Sequence, residues 1–81
     1  MQIKVFVTPR RGILDPQGRA VEAALANLGF AGVSGVHLGR YIMLALDAPS
    51  KVAAAETVRQ MCEQLLANPT IEDYRFEVEP G

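Results

Sequence analysis

A strand gives way to a helix in the stretch TPRRGILDPQG, residues 8–18. Asp15 is a good N-cap residue, because its carboxylate can accept hydrogen bonds from the free amides of a first helical turn. Pro16 then takes the first helical position, where the N–H that proline lacks would have no partner. The stretch therefore predicts a strand that ends before it and a helix that begins at Pro16.

The segments on either side of this stretch have the periodicities that these elements need. Residues 2–8 predict a strand whose one face carries Ile3, Val5 and Val7. Residues 16–28 predict a helix with one apolar stripe, formed by Val21, Ala24, Leu25 and Leu28. Gly29 fits the left-handed residue that ends a helix, which lets Phe30 fold back onto Leu25.

Residues 34–46 are apolar and have β character, with five of their apolar side chains at even positions. These side chains are Val36, Leu38, Ile42, Leu44 and Leu46, and Arg40 is the polar member of the same set. The shared phase predicts one long strand. The alternative is a hairpin that turns at Gly39-Arg40, since a glycine in the first position suits a two-residue turn. The long strand is the favoured interpretation.

The C-terminal half predicts a second helix and a last strand. Ser50 can cap a helix over residues 51–67, and Asn68-Pro69 ends it, because a residue before proline is pushed out of the helical region. The predicted buried stripe of this helix is Ala54, Val58, Met61, Cys62 and Leu65. The strand, over residues 72–79, turns Tyr74, Phe76 and Val78 inward.

The order of these elements predicts an α+β two-layer sandwich. Its antiparallel or mixed sheet has three to four strands, and two helices cover one face. The 81 residues form a single domain, residues 1–81, whose small size makes its core marginal. Such a core often gains from burying more surface in an oligomer.

Composition and charge narrow the class of protein. A net charge of −1 argues against a nucleic-acid binder, which usually has a basic excess. The chain lacks an apolar run of the roughly 20 residues that span a membrane, and its start does not resemble a secretion signal. The single Cys62 has no disulfide partner and fits a reducing compartment. We expect a cytoplasmic protein.

The sheet face opposite the helices predicts a self-association surface. The side chains expected there include Phe6, His37, Tyr41 and Met43, a mixed and partly apolar set. Exposed apolar patches on small domains usually mark an interface.

No catalytic set stands out among the reactive side chains. His37 is the only histidine, and a solvent-facing or satisfied histidine is favoured over a general base. Cys62 falls on an apolar helix stripe, which favours a structural thiol over a nucleophile. Asp15 and Asp47 are better placed for capping and turns than for a paired-carboxylate site. We expect no catalytic residue, cofactor or metal site.

The loop before the first helix carries the candidate contacts to partners. Arg10 and Arg11 precede free helix-start amides, which would suit an anion. The favoured alternative is that these arginines pair with acidic groups, such as Glu72 and Asp73, of this chain or of a partner. The candidate partner or anion contacts are Arg10, Arg11, Gly12, Asp15, Arg40, Asn68 and Glu72.

Four parts of the chain resemble the PurS family, the small subunit of phosphoribosylformylglycinamidine synthase. The family's Gly-x-Leu-Asp-Pro-Gln-Gly core is present as residues 12–18, and the end of its first helix resembles residues 24–29. Its central strand resembles residues 36–40, and its second helix end and last strand resemble residues 65–74. The likeness spans nearly the whole chain.

The resemblance implies a non-catalytic subunit of an ATP- and glutamine-dependent ligase (EC 6.3.5.3) of purine biosynthesis. Its implied partners are the synthetase and glutaminase subunits, which it brings together for ammonia transfer, and its own copies in a dimer or tetramer. Two other classes stay open: a small-ligand regulatory module on a similar scaffold, and a small enzyme that uses the Arg10-Arg11 loop as an anion site.

Overall fold

The computed structural model describes residues 1–80, which form a three-stranded antiparallel sheet and two helices. In chain order the elements are β1 (Gln2–Pro9), α1 (Pro16–Asn27), β2 (Arg40–Ala45), α2 (Lys51–Met61), a π-helical turn (Cys62–Leu66) and β3 (Glu72–Glu79). The strands lie in the order β2-β1-β3. The predicted α+β fold is confirmed. None of the helices in residues 1–80 is long and apolar enough to cross a membrane.

The core lies between β1 and α2, as period-two and helical patterning predict. Ile3, Val5 and Val7 of the central strand are at most 1% exposed. Helix α2 is capped by Ser50, whose hydroxyl accepts from the amide of Ala53. The buried residues of this helix that face β1 include Val58. The inward side chains of β2 and β3 pack around this centre and are half-buried.

Helix α1 has the predicted ends but does not cover the sheet. The Asp15 carboxylate accepts from the amide of Gly18 at its start. At its end Gly29 adopts φ +94°, and the Phe30 amide donates to the Leu25 carbonyl at 3.0 Å, which is the expected left-handed ending. The extensive contacts between elements of residues 1–80 join β1 to β2 and β3, and α2 to β3, whereas α1 takes part in none of them. Within residues 1–80, α2 and the π-helical turn that follows it cover the core face, so the prediction that both helices lie on one face of the sheet is wrong for α1.

The middle segment is neither one long strand nor a hairpin, so both predictions for residues 34–46 are wrong. Regular β2 structure begins only at Arg40, which pairs with Val7 of β1. Before it, the Leu38 amide donates to the Asp15 carboxylate at 2.9 Å, and the Val36 amide donates to the Glu22 carboxylate at 3.3 Å. The side chains of Glu22 in α1 and of the N-cap Asp15 thus take the donors that a longer strand would give to a neighbouring strand.

Leu65 does not belong to the buried stripe of the second helix, contrary to the prediction, and is 83% exposed. The cause is the π-helical turn, closed by a hydrogen bond from the Ala67 amide to the Cys62 carbonyl. The wider turn shifts the following side chains around the helix axis. Leu66 therefore packs against the core in place of Leu65.

Candidate functional site

Four of the predicted partner-contact residues meet at the end of the sheet where β1 finishes. We call Arg10, Arg40, Asn68 and Glu72 the strand-end cluster. The Arg40 guanidinium donates to both oxygens of the Glu72 carboxylate, at 2.8 and 2.9 Å. It also donates to the Leu66 carbonyl at 2.9 Å. The backbone amide of Asn68 donates to the same carboxylate at 2.8 Å.

Arg10 completes this cluster from the loop that follows β1. Its Nε lies 3.4 Å from the Asp73 carboxylate and 3.4 Å from the Glu72 carbonyl oxygen, to which it donates. Its backbone amide donates to the Ile71 carbonyl at 2.9 Å. Arg10 therefore pairs with one acidic group of its own chain, Asp73, an arrangement of the kind that the sequence favoured over an anion site.

The ion pair between Arg40 and Glu72 shifts the pKa of both side chains. The hydrogen bonds from Arg40, and then from the Asn68 amide, lower the pKa of the Glu72 carboxyl. The same carboxylate raises the pKa of the Arg40 guanidinium. Each group stabilises the charged form of the other, so the cluster fastens the first residues of β2 and β3 to the end of the second helical segment.

Asp15 organises a second group of residues at the start of α1. Its carboxylate accepts from the amides of Gly18 and Leu38, and these hydrogen bonds lower its pKa. His37 Nδ1 lies 3.6 Å from the same carboxylate. His37 was expected on the sheet face opposite the helices, and this placement is wrong, because residues 33–39 leave the sheet to follow α1.

Gly18 allows the two segments to approach each other. It is the only buried residue of α1, and a Cβ atom there would overlap the Val36 carbonyl oxygen. A cleft of about 420 Å³ opens beside this contact, with Gly12, Arg19 and Glu22 among its lining residues. Arg11, in the same loop, is exposed and forms no ion pair with any of residues 1–80.

The remaining predicted self-association residues share the sheet face that α2 leaves uncovered, which we call the open face. The rings of Phe6 and Tyr41 stack with centroids 4.9 Å apart. The Arg75 guanidinium lies over the Phe6 ring, 4.0 Å from the ring centre. Tyr41 and Met43 are more than half exposed. A planar, partly apolar surface of this kind suits contact with another protein.

The Cys62 thiol is fully buried, and burial raises its pKa. Residues 1–80 contain no group of three or more His, Cys, Asp or Glu side chains placed to hold a metal ion. The described surface offers ion pairs and an aromatic patch.

The family model for PurS, phosphoribosylformylglycinamidine (FGAM) synthase, matches residues 2–80. This chain belongs to the PurS family. The PurS subunit of Synechocystis is 48% identical over 75 residues, which cover 93% of this chain and 75% of that protein. The structure of B. subtilis PurS superimposes with a TM-score of 0.88 at 43% identity and covers 98% of both chains.

A PurS chain has also been solved within a larger assembly. The structure of PurLQS from Thermotoga maritima contains a chain 33% identical to this one. The two superimpose with a TM-score of 0.85 and cover 94% of this chain and 93% of that one.

Three features of this PurS chain escaped the sequence reasoning. The first is the close approach at Gly18, for which an isolated glycine inside a helical pattern was the available sign. The second is Arg75, whose outward position follows from the alternation predicted for residues 72–79 but whose stacking on Phe6 requires the register of β1 and β3. The third is the π-helical turn, which the apolar spacing of the second helix does not indicate.

Proposed function

We propose that the chain is the non-catalytic small subunit of phosphoribosylformylglycinamidine synthase. In this role it brings the glutaminase and synthetase subunits together, so that ammonia released from glutamine reaches the synthetase in purine biosynthesis. The observation that carries the proposal is the match, over nearly the full length of both chains, to a component of the PurLQS assembly.

The residue chemistry agrees with a subunit that recognises rather than reacts. Cys62 is buried, and the Asp15 and Glu72 carboxylates accept hydrogen bonds within the chain. We propose a cytoplasmic location, where this biosynthetic chemistry takes place.

Two surfaces are proposed for contacts within the complex. The loop with Arg11 and Gly12, beside the Asp15 cap, is the proposed contact to a larger subunit, because Arg11 has an exposed charge with no ion pair to any of residues 1–80. The strand-end cluster holds this loop in place through Arg10. The open face, with Phe6, Tyr41 and Met43, is a proposed contact between copies in a dimer or tetramer.

Reconstitution tests the role directly. The synthetase and glutaminase subunits are combined with ATP, formylglycinamide ribonucleotide and either glutamine or free ammonia, with and without this chain. We expect glutamine-dependent turnover to require the chain and ammonia-dependent turnover to depend on it much less, since free ammonia bypasses the glutaminase. Full glutamine-dependent turnover without the chain would overturn the proposal. The chain alone serves as the control and should hydrolyse neither ATP nor glutamine.

A further inference from the structure

A smaller cleft opens at the end of the sheet that carries the strand-end cluster. Its volume is about 280 Å³, and it lies between the loop after β1, the residues that lead into β2 and the start of β3. We call it the apolar cleft, because its lining includes Pro9, Ile13, Leu14, Leu38 and Ile71. Segments far apart in the sequence therefore form one concave, partly apolar surface.

Three of these lining side chains are exposed although they are large and apolar. Leu14 is 67% exposed, Leu38 is 43% exposed and Ile71 is 41% exposed, and none of them belongs to the hydrophobic core of residues 1–80. Apolar side chains scattered singly over a surface need no explanation, whereas a contiguous apolar patch marks an interaction site. The apolar cleft gathers three of them in one place.

Leu14 is not used to fasten its own helix. It precedes the N-cap Asp15, a position from which an apolar residue often packs against the fourth residue of the helix. In α1 that fourth residue is Arg19, which is charged and exposed. The local sequence therefore leaves Leu14 available for a contact outside the chain.

Hydrogen bonds hold the walls of the apolar cleft in place. The Arg10 amide donates to the Ile71 carbonyl at 2.9 Å, and the Leu38 amide donates to the Asp15 carboxylate at 2.9 Å. The strand-end cluster joins the remaining wall segments through its ion pair. A preformed cleft saves the ordering cost that a flexible surface would add to binding.

The lining chemistry favours an apolar protein side chain over a small molecule. The charged lining groups of Asp15, Arg40 and Glu72 are already hydrogen-bonded within the chain. They are therefore not available to orient a small ligand, which needs a few convergent polar groups. The volume also lies below the about 300–1,000 Å³ of usual small-molecule sites. Anchor side chains that fill such pockets dominate the binding energy of protein interfaces.

The charge beside the apolar cleft indicates an acidic partner. Arg10 pairs with Asp73, and Arg40 pairs with Glu72. Arg11, in the loop that lines the cleft, is exposed and has no ion pair to any of residues 1–80. A carboxylate on the partner would complement this charge, and such complementarity provides specificity and faster association.

We propose that the apolar cleft receives an apolar side chain from an acidic segment of one of the two larger subunits, with a carboxylate of that segment paired to Arg11. The inference rests on the proposed function and defines the chemistry of its contact. The segment carries an apolar residue and, beside it, an Asp or Glu.

Site-specific cross-linking in the assembled complex tests the occupant. Leu14 is replaced by a photoreactive amino acid, and the cross-linked peptide is identified by mass spectrometry. Leu65, which is exposed on the π-helical turn and outside the cleft lining, is replaced in the same way as a control. We expect position 14 alone to label a larger-subunit segment with adjoining apolar and acidic residues. Labelling only of another copy of this chain, or of a segment without an Asp or Glu, would overturn the proposal.

Matched substitutions measure the contribution of the apolar anchor. The dissociation constant of the labelled chain is measured against both larger subunits together, with the substrates of the reconstitution assay present. We expect Leu14→Asp to raise it at least about tenfold, because it places a charge in an apolar contact. Leu65→Asp should leave it within about twofold. Equal dissociation constants for Leu14→Asp and the parent chain, or no binding by the parent chain, would overturn the proposal.

Salt dependence measures the contribution of the charge. Arg11→Gln should make the dissociation constant less sensitive to added salt than in the parent chain, because one screened attraction is lost. Arg19→Gln removes an exposed charge of α1 that does not line the cleft, and it should keep the salt dependence of the parent. Equal salt dependence for Arg11→Gln and the parent chain would overturn the pairing of Arg11 with a carboxylate.

The two proposals fail in different ways. If glutamine-dependent turnover requires the chain but Leu14→Asp binds as tightly as the parent, the cleft proposal is wrong and the proposed function stands. If Leu14→Asp weakens binding but glutamine-dependent turnover is full without the chain, the proposed function alone is wrong.

Discussion

Arg40 and Glu72 stand at the first positions of β2 and β3, and two hydrogen bonds of 2.8 and 2.9 Å join them across the end of β1. The pair therefore links the two edge strands, which do not otherwise touch in the sheet order. The Asn68 amide adds a third hydrogen bond to the carboxylate. The strand-end cluster therefore lies where residues 10–39 leave the sheet after β1 and return to it at β2.

Glu72→Gln should lower stability and reduce its dependence on acid pH. Because the folded chain lowers the pKa of the Glu72 carboxyl, the unfolded chain takes up this proton first as the pH falls. The carboxylate therefore stabilises the fold fully above its ordinary range near pH 4, and this contribution is lost as the pH falls through the lowered folded pKa. We expect a loss of about 1 kcal/mol at pH 7, measured by urea unfolding between pH 3 and pH 7.

The matched control is Glu77→Gln on the open side of β3. Its carboxylate makes an exposed contact with Arg75 at 3.4 Å, without a backbone donor. This variant should leave the free energy of unfolding at pH 7 within about 0.5 kcal/mol of the parent value. An identical pH dependence for Glu72→Gln and the parent would contradict the stabilising role of the cluster.

Gly18→Ala should destabilise the chain although alanine is the better helix former. The new Cβ would overlap the Val36 carbonyl oxygen, and relieving such an overlap in packed surroundings costs about 1–3 kcal/mol. Gln17→Ala, one residue earlier on the exposed side of α1, is the control and should change stability by less than about 0.5 kcal/mol. Thermal or urea unfolding measures both. A more stable Gly18→Ala variant would show that residues 36–38 do not pack against α1.

The elements that local chemistry determines were predictable from the sequence. Alternation identified β1 and β3, and the cap residues Asp15 and Ser50 located both helix starts. In each case the residues that decide the structure lie within a few positions of one another. The even phase of Ile42 and Leu44 was also informative, because both do face the core.

What failed depends on contacts distant in the sequence. The amide of Leu38 is captured by Asp15, 23 residues earlier, so the β pattern of residues 34–39 did not produce a strand. For the same reason His37 lies beside Asp15 and not on the open face, where it was predicted. The strand-end cluster was predicted as a set of candidates, but the pairing of Arg40 with Glu72, 32 residues apart, requires the strand order, which local patterns do not provide.

Cys62 should be inert to thiol reagents in the native protein and reactive once the chain is denatured. Its side chain is fully buried, and burial raises the pKa of the thiol, so that little thiolate forms at neutral pH. Labelling with a chromogenic disulfide reagent, with and without denaturant, measures the two rates. We expect native labelling at least about a hundredfold slower, the rate following the rare opening of the core. Prompt native labelling would indicate that the π-helical turn opens readily.

Charge reversals at Arg11 and at Arg10 should distinguish a residue that contacts a larger subunit from a residue that holds the loop in place. Arg11 forms no ion pair with residues 1–80, so Arg11→Glu should leave the urea midpoint of the isolated chain unchanged. If the loop faces an acidic surface of a partner, the same change weakens assembly, and glutamine-dependent turnover at limiting subunit concentration falls about tenfold. Ammonia-dependent turnover serves as the internal control and should stay near its original value.

Arg10→Glu is the informative comparison for Arg11→Glu. It replaces an attraction to Asp73 by a repulsion and removes the donor to the Glu72 carbonyl, so we expect it to lower the urea midpoint as well as assembly. Arg19→Glu, an exposed reversal within α1, controls for the change in net charge. Equal losses of assembly for Arg11→Glu and Arg19→Glu would mean that total charge, rather than the loop, governs the contact. Full assembly with Arg11→Glu would remove Arg11 from the proposed interface and leave the role of the subunit to the reconstitution assay.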